Sequence, residues 1–204
     1  MLTTILGIII AYLMGSIPSG VWVGNIFYHK DITKYGSGNT GTTNVFRVLG
    51  PKAGIIVFAM DVLKGAIPTL LPSLLFNSTV HPIIFGIFAV LGHALPIYNK
   101  FKGGKAVATS CGVALAIYPV FLLILVGFFA LILYTSSMVS LASVSGIGLA
   151  FVLSFFLHDT IFTIAVGFIF LFVVYRHKDN IKRIINGNES RVPFGLRSSK
   201  NNKL

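Results

Sequence analysis

The sequence predicts an all-α, polytopic integral membrane protein with seven transmembrane helices, its N-terminus outside the cell and its C-terminus in the cytoplasm. Its 204 residues are 55% hydrophobic and only 10% charged, whereas soluble domains carry roughly 25% charged residues. The stretch from Ala106 to His158 contains no Asp, Glu, Lys or Arg and is longer than two helical crossings of about 20 residues each. The basic residues gather in alternate connections between apolar segments. These observations exclude an ordinary soluble core.

The seven predicted helices are the apolar segments left between charged residues and turn residues. The first begins without a positively charged region and is followed by further apolar segments, so we interpret it as a retained helix and not a cleaved signal peptide. Proline and small polar residues, which are typical of helix ends, mark the breaks at 77–82, 118–119, 135–137 and 158–159. The segments cover residues 3–28, 53–76, 82–99, 105–118, 120–135, 138–157 and 160–175.

The segment at 105–118 is the least secure of the seven. It is shorter than the about 20 residues that a full crossing needs, and a tilted or re-entrant segment there leaves five crossings as the alternative. Both counts are odd, so both keep the basic loops on one side of the membrane.

Basic residues set the predicted orientation, because they are enriched in the cytoplasmic loops of membrane proteins. The second loop and the connections near Pro119 and His158 contain no Lys or Arg. We therefore place the N-terminus outside, and we interpret the chain as one transmembrane domain with a basic, flexible cytoplasmic tail at 190–204. The cytoplasmic basic residues are Lys30, Lys34, Arg47 and Lys52, then Lys100, Lys102 and Lys105, then eight from Arg176 to Lys203.

The net charge of +11 would suggest a nucleic-acid partner in a soluble protein, but here the charge follows membrane topology, so no nucleic acid is predicted. The single cysteine, Cys111, lies in an apolar segment without a second thiol or a cluster of metal ligands. It is interpreted as a packing residue, and neither a disulfide, a metal nor a cofactor is predicted.

The first loop, from Gly36 to Arg47, mixes glycines, hydroxyls, amides and one guanidinium. Glycines let successive backbone N–H groups converge on an oxyanion, hydroxyls add donors, and arginine adds a bidentate charge. The composition therefore suits phosphate, although a flexible polar connector fits it equally well. The candidate residues are Gly36, Ser37, Gly38, Asn39, Thr43, Asn44 and Arg47.

The third loop repeats this chemistry with two lysines that flank two glycines. It lacks the spacing and the following hydroxyl of a Walker A loop, so no nucleotide is implied. Positive-inside topology alone is the alternative. The candidate residues are His93, Lys102, Gly103, Gly104 and Lys105.

Asp61 and Lys64 lie three residues apart on one face of the second helix and are predicted to form an ion pair. Charges inside a membrane segment are costly and usually face a protein interior or a polar cavity. We prefer a structural pair that fixes helix packing beneath the first loop.

Polar residues also follow the fifth loop and the last helix. Ser140 and Ser143 share a helix face and are candidate substrate-binding residues, whereas Ser136 and Ser137 are expected to bond nearby backbone. The last helix ends in a basic segment that leads to Glu189. A cationic helix end that faces the membrane surface is the alternative to a site there. The candidate residues of this segment are His177 and Asn180.

No arrangement offers an evident protein nucleophile with its base. None of the five histidines has an Asp five positions later, which removes the His-x4-Asp signature of the better-known glycerolipid acyltransferases. The means of catalysis that remain are the positioning of phosphorylated substrates and the stabilisation of their charge.

The motifs together resemble those of one family, the bacterial acyl-phosphate:glycerol-3-phosphate acyltransferases called PlsY. The matching blocks follow in family order across most of the chain. They are Ala11 to Ile17, Gly36 to Asn39 with Thr43, Asn44, Val45 and Arg47, Asp61 to Gly65, Gly92-His93, Phe101 to Lys105, Val139 to Ser143, and Arg176-His177 to Asn180.

The resemblance implies a multi-pass enzyme of the bacterial plasma membrane with its active site on the cytoplasmic face. It implies transfer of a fatty acyl group from acyl phosphate to the 1-hydroxyl of sn-glycerol 3-phosphate, giving lysophosphatidic acid and inorganic phosphate. The implied partners are an upstream enzyme, which supplies the acyl phosphate, and the membrane lipids that surround the protein. Because both substrates carry phosphate, the two basic loops are interpreted as two anion cradles. The family's functional positions fall on Ser37, Arg47, Lys102 to Lys105, His177, Asn180 and Glu189; of these we expect Ser37, Arg47, Lys105, His177 and Asn180 to be catalytic, and Glu189, with Asp61 and Lys64, to be structural.

The chain departs from the family pattern in two places. Ser137-Met138 stand where many relatives carry a basic pair, and Thr40 and Thr42 stand where Ile or Val and Ala are common. A rival interpretation from another class is an anion or phospho-metabolite transporter, which should show polar access from both sides and often repeated halves. The outer connections here are short and uncharged, which favours the enzyme. A structural membrane subunit would not need glycine-lysine loops.

Overall fold

A computed structural model describes residues 2–76 and 79–198, and the regular structure of these residues is entirely helical, as predicted. The chain divides into two compact units, Met1–Pro119 and Val120–Leu204. Part of the predicted break at 77–82, Asn77 and Ser78, lies outside the described residues.

The first unit is built around one long helix, α4, which packs against α1, α3, α5 and α6. Short 3-10 helices at Ile32–Lys34 and Ile97–Asn99 shape the two basic loops. The α-helices are α1 (Leu2–Gly15), α2 (Ser19–Tyr28), α3 (Thr42–Leu49), α4 (Pro51–Phe76), α5 (Ile83–Ala94) and α6 (Val107–Ile117).

Glycines allow close helix crossings in this unit. A Cβ atom added at Gly15 or Gly92 would collide with backbone atoms across the α1–α5 crossing, and one at Gly65 or Gly112 would do so across the α4–α6 crossing. Small residues are the usual means of bringing helix backbones together in membranes, where packing replaces the hydrophobic driving force. These contacts hold α1, α5 and α6 in place around α4.

The prediction of one continuous helix at 3–28 is wrong. Two helices, α1 and α2, meet there at an angle of 44°. Pro18 precedes α2 and has no N–H to continue the helical hydrogen bonds. The Ile17 carbonyl next to the break accepts a hydrogen bond from Lys64 Nζ at 2.7 Å, so the carbonyl is satisfied by a distant residue.

The first loop contains a helix, α3, that its glycine-rich and polar composition did not indicate. Val45 on α3 is completely buried and belongs to a small apolar cluster with Val23, Ile32, Ala53 and Val57. Tertiary packing of this one apolar face stabilises a helix too short to be stable alone.

The second unit contains α7 (Pro119–Ser136), α8 (Val139–Ser154), a 3-10 turn at Phe155–Leu157, α9 (Thr160–Arg176) and α10 (Lys178–Ile185). α8 packs against α9, and α10 contacts both. The rings of Phe121 and Phe162 meet edge to face at 5.7 Å between α7 and α9. α9 and α10 form an angle of 61° at His177.

Each of the seven apolar segments is helical in the described residues. By length and composition, three of the described helices, α4, α7 and α8, suffice to cross a membrane, and five spans result if α1 with α2 and α9 with α10 each count as one. α6 has 11 residues, about 16 Å of helix at 1.5 Å per residue, which is well short of a hydrocarbon core of about 30 Å. The protein is an integral membrane protein, and seven crossings with the N-terminus outside stay a prediction.

The segment predicted as a flexible tail is partly bonded to the second unit. The backbone N–H groups of Val192 and Leu196 donate to the carbonyls of Ser137 and Tyr134 at 2.8 Å each. Residues 199–204 of that predicted tail lie outside the described residues.

Candidate functional site

A polar cavity in the first unit joins the two glycine-rich loops. Its volume is about 260 Å³, slightly below the roughly 300–1,000 Å³ of sites for drug-sized ligands. The sequence predicts two anion cradles, one for each loop; parts of both loops line this one space, and two separate cradles stay a prediction. The lining residues are Thr33, Ser37, Gly38, Asn39, Thr40, Asn99, Lys102 and Gly103.

Asn44 shapes the first loop from beneath. Its buried side-chain Nδ2 donates to the carbonyls of Ile32, Tyr35 and Asn39 at 2.9 to 3.2 Å, and its Oδ1 accepts from the Ser37 N–H at 2.9 Å. The amide was predicted to contact phosphate, but the loop itself engages it at both ends. This is the geometry of a scaffold that presents Ser37 to the cavity.

α3 carries the predicted arginine. Thr43 and Arg47 are both exposed and lie four residues apart, on one face of this helix. A Cβ atom added at Gly36 would lie 3.3 Å from Arg47 Cδ, so the arginine stem runs alongside the first loop. Neither residue lines the cavity.

The third loop packs tightly against His93, at the end of α5. The N–H of Gly104 donates to the His93 carbonyl at 3.2 Å. A Cβ atom at Gly103 would collide with that carbonyl, and one at Gly104 would collide with His93 Nε2. Both glycines are therefore required by close packing, whatever anion the loop contacts.

Of the two lysines that flank these glycines, the structure places Lys102 in the cavity lining. Lys105, which was predicted to be catalytic, is half-buried immediately before α6 and does not line that cavity. The sequence pattern could not distinguish them, because it shows only that both flank the glycines.

Gly103→Ala is expected to displace the third loop. Overpacking of this kind costs typically 1–3 kcal/mol, because the methyl group meets backbone atoms that cannot rotate away. Thermal unfolding in detergent should show a lower midpoint. Gly146→Ala is the matched control, since a Cβ atom there meets nothing within 4 Å. A Gly103→Ala protein as stable as the Gly146→Ala protein would contradict the packing role.

Three cavity residues, Thr33, Thr40 and Asn99, were missed by the sequence analysis. Asp31 precedes Thr33 and accepts hydrogen bonds from its hydroxyl at 2.6 Å and its N–H at 3.0 Å, and these bonds lower the pKa of Asp31. The Asp-x-Thr pattern was a usable signal for this turn. Asn99 Nδ2 donates to the Lys102 carbonyl at 2.6 Å, and only the fold reveals that contact.

Asp61 and Lys64 form the predicted ion pair, with 2.7 Å between Asp61 Oδ1 and Lys64 Nζ and both side chains buried. Lys64 also lies 3.3 Å from the Ser19 hydroxyl. The pair therefore connects α4 with the break between α1 and α2.

The second unit holds a polar cluster around Glu189. Glu189 Oε1 accepts hydrogen bonds from the Ser140 hydroxyl at 2.8 Å and from Asn180 Nδ2 at 2.6 Å, while Oε2 lies 2.8 Å from Arg183 Nε. Burial by itself raises the pKa of Glu189, but the hydrogen bonds from Asn180, Ser140 and Arg183 outweigh it and leave the pKa below its usual value. The carboxylate is thus the centre that holds α8, α10 and the following segment together.

His177 lies buried at the junction of α9 and α10, and its Nδ1 is 2.8 Å from the Val173 carbonyl. Since a carbonyl can only accept, this contact puts a proton on Nδ1. The hydroxyl of Ser143 donates to the Val139 carbonyl of its own helix at 2.8 Å, and its contact with substrate stays a prediction. Across residues 2–76 and 79–198, no three His, Cys, Asp or Glu residues are grouped to hold a metal ion.

Comparisons with known proteins agree on one family. The family model described as Glycerol-3-phosphate acyltransferase matches residues 5–187. The chain is 49% identical to the glycerol-3-phosphate acyltransferase of Streptococcus gordonii, with 98% of each chain covered. It is 50% identical to that of Lactococcus lactis subsp. lactis, again with 98% of each covered.

Two solved structures have the same fold. Both are crystal structures of PlsY (YgiH), described as an integral membrane glycerol 3-phosphate acyltransferase, at 38% identity over 92% of this chain and 94% of that chain. The TM-score is 0.85 for the glycerol 3-phosphate form and 0.82 for the lysophosphatidic acid form.

The apolar helices and the lysine-containing cavity define the class: an integral membrane protein, helical in the regular structure of its described residues, with a small polar cavity. Within that class, the family match and the identity to these relatives over nearly the whole chain are decisive. The chain belongs to the PlsY family of glycerol-3-phosphate acyltransferases.

Proposed function

We propose that this protein transfers a fatty acyl group from acyl phosphate to the 1-hydroxyl of sn-glycerol 3-phosphate. The hydroxyl oxygen attacks the acyl carbonyl carbon, the bond from that carbon to the phosphate oxygen breaks, and lysophosphatidic acid and inorganic phosphate form. An upstream enzyme that makes acyl phosphate supplies the donor.

The observation that carries the proposal is the cavity shared by the Ser37 loop and the Lys102 loop. It combines a lysine, hydroxyls and glycine backbone, which are the groups that bind phosphate. A water-soluble phosphorylated acceptor fits a polar cavity of this size, while the acyl chain of the donor fits the apolar helices.

The mechanism needs no protein nucleophile. The hydroxyl proton passes to a phosphate oxygen of one of the substrates, and Arg47 with the lysines of the third loop stabilises the charge of the departing phosphate. Ser37 orients the acceptor. In the second unit His177 and Asn180 stay predicted catalytic residues, and their buried positions favour an orienting role.

We also propose that the cavity opens to the cytoplasm, since it lies between the two basic loops and basic loops favour that side. Single cysteines placed in the first and third loops should react with a membrane-impermeant reagent only when vesicles expose their cytoplasmic face. Labelling from the outside of intact cells would contradict this orientation.

The enzyme proposal is tested with purified protein, acyl phosphate and radiolabelled glycerol 3-phosphate. Lysophosphatidic acid and phosphate should appear in equal amounts. Acyl-CoA and acyl carrier protein are assayed in parallel as donors, and efficient use of either would contradict acyl-phosphate dependence. No product from folded protein would end the proposal.

Arg47→Ala is expected to lower kcat about 10²- to 10³-fold, the usual effect of removing one group that stabilises transition-state charge. Expression should be normal, because the side chain is exposed on α3. Lys52→Ala changes another exposed basic residue, at the start of α4; it is the matched control and should keep nearly full activity. Wild-type turnover in Arg47→Ala would refute the assigned role.

A further inference from the structure

The Asp61 carboxylate contacts its own helix, α4, and two other elements of the first unit, α3 and the end of α5. Its Oδ1 lies 2.7 Å from Lys64 Nζ and 3.7 Å from His93 Nδ1. Its Oδ2 accepts a hydrogen bond from the Thr42 hydroxyl at 3.1 Å. A pair needed only to neutralise two charges in a membrane helix would not require contacts with α3 and with the end of α5.

The contact with Thr42 controls the first loop. Thr42 is the first residue of α3 and follows Thr40, which lines the cavity, by two residues. α3 also carries Asn44 and Arg47. Fixing the start of α3 on Asp61 therefore fixes both the scaffold of the Ser37 turn and the arginine.

The contact with His93 controls the third loop. One ring nitrogen, Nδ1, faces Asp61, and the other, Nε2, lies against Gly104 so closely that a Cβ atom there would collide with it. The His93 carbonyl accepts a hydrogen bond from the Gly104 N–H. The imidazole is thus held between the carboxylate and the glycines that precede Lys105.

Lys64 makes this arrangement tolerable in a membrane helix. It pairs with Asp61 and donates to the Ile17 carbonyl at 2.7 Å, so the buried charges are compensated and the break between α1 and α2 is satisfied. The fixed point of the network is therefore α4, the helix against which α1, α3, α5 and α6 pack.

We propose that Asp61 is a positioning residue that holds the first loop through Thr42 and the third loop through His93, and so keeps the two sides of the cavity in register. This inference rests on the proposed function only for the identity of the ligand in the cavity. It goes beyond a packing role, because it requires each contact to set the affinity of the cavity for its phosphorylated ligand.

Two variants test the contacts separately and leave the ion pair intact. Thr42→Val removes the hydroxyl that bonds Asp61, and His93→Leu removes the ring between Asp61 and Gly104. Thr69→Val is the matched control, since Thr69 is buried on the same helix as Asp61 and its hydroxyl donates to the Gly65 carbonyl of that helix at 2.7 Å. Asp61→Asn is the combined variant, and His93→Asn, which restores a donor near the position of Nδ1, tests rescue.

The first readout is KM for glycerol 3-phosphate, with the folded fraction measured by thermal unfolding. Thr42→Val should raise KM about tenfold, as expected for one lost hydrogen bond to a charged group. His93→Leu removes a ring that lies 3.7 Å from the carboxylate and should raise KM in the same direction. In both variants kcat per folded molecule should stay nearly unchanged. His93→Asn should recover part of the loss. KM values equal to that of Thr69→Val, with activity falling only in proportion to the folded fraction, would overturn the proposal.

The second readout does not depend on activity. An endoproteinase that cleaves after lysine should cut at the exposed Lys102 faster in His93→Leu and Asp61→Asn than in the wild type or Thr69→Val. Equal rates in all four proteins would overturn the proposal. If the wild-type protein shows no turnover, the proposed function is wrong. The cleavage rates still decide, independently, whether Asp61 positions the third loop.

Discussion

Asn44→Ala is expected to lower activity on the order of a hundredfold, the loss that a displacement of about 1 Å in catalytic geometry produces. The substitution leaves three loop carbonyls and the Ser37 N–H without their amide partner. Each unsatisfied buried group lowers the free energy of unfolding by about 1–3 kcal/mol. Because the loop is partly exposed and water replaces some of these bonds, we expect a total loss of stability of about 2–4 kcal/mol.

The measurement combines turnover with thermal unfolding in detergent. Asn25→Ala is the matched control, since Asn25 is exposed within α2 and alanine has the higher helix propensity. Asn44→Asp should be at least as damaging as Asn44→Ala, because it replaces the donor that faces three carbonyls with an acceptor. If Asn44→Asp remains fully active, the loop does not depend on these bonds.

Glu189→Gln is expected to destabilise the second unit by about 1–3 kcal/mol. Three donors, from Ser140, Asn180 and Arg183, converge on the two carboxylate oxygens, whereas an amide offers one acceptor and directs its NH₂ group at a donor. The contribution of the ion pair to stability is reduced by solvent screening, because the Arg183 side chain is 44% exposed.

The same carboxylate predicts a pH dependence. The pKa of Glu189 is lowered in the folded protein, so its stabilisation is complete above the unfolded value of about 4.3 and is lost as the pH falls through the folded value. The difference in unfolding temperature between wild type and Glu189→Gln should be constant near neutral pH and shrink in acid. Asp179→Asn, an exposed carboxylate of α10, is the control and should show a smaller difference. If the difference in unfolding temperature between wild type and Glu189→Gln grew in acid, the stabilising role of the Glu189 carboxylate would be contradicted.

The predictions for Asn44 and Glu189 concern polar side chains that are hydrogen-bonded mainly to other groups of the protein. Asn44 and Glu189 are buried and saturated with hydrogen bonds, which is costly to achieve and costly to disturb. They differ from Ser37 and Lys102, which line the cavity and are exposed. Loss of a buried centre should therefore reduce both stability and turnover, while loss of a cavity group should reduce turnover alone.

The apolar segments, their helical state, the basic loops and the Asp61–Lys64 pair were predictable from the sequence. These features depend on local composition and on periodicity, since residues three apart share a helix face and long uncharged runs fit only a membrane. Pro18 is visible in the sequence too, but by itself it does not predict a break, because proline also occurs within membrane helices.

Tertiary structure alone decided how the local features combine. Spacing does not reveal that Asn44 bonds its own loop, that Lys102 and not Lys105 lines the cavity, or that parts of both glycine-rich loops line the same space. α3 is helical because Val45 has an apolar cluster to enter, and Lys64 is satisfied because Ile17 lies beside it. Such contacts join residues far apart in the chain, and only packing around α4 brings them together.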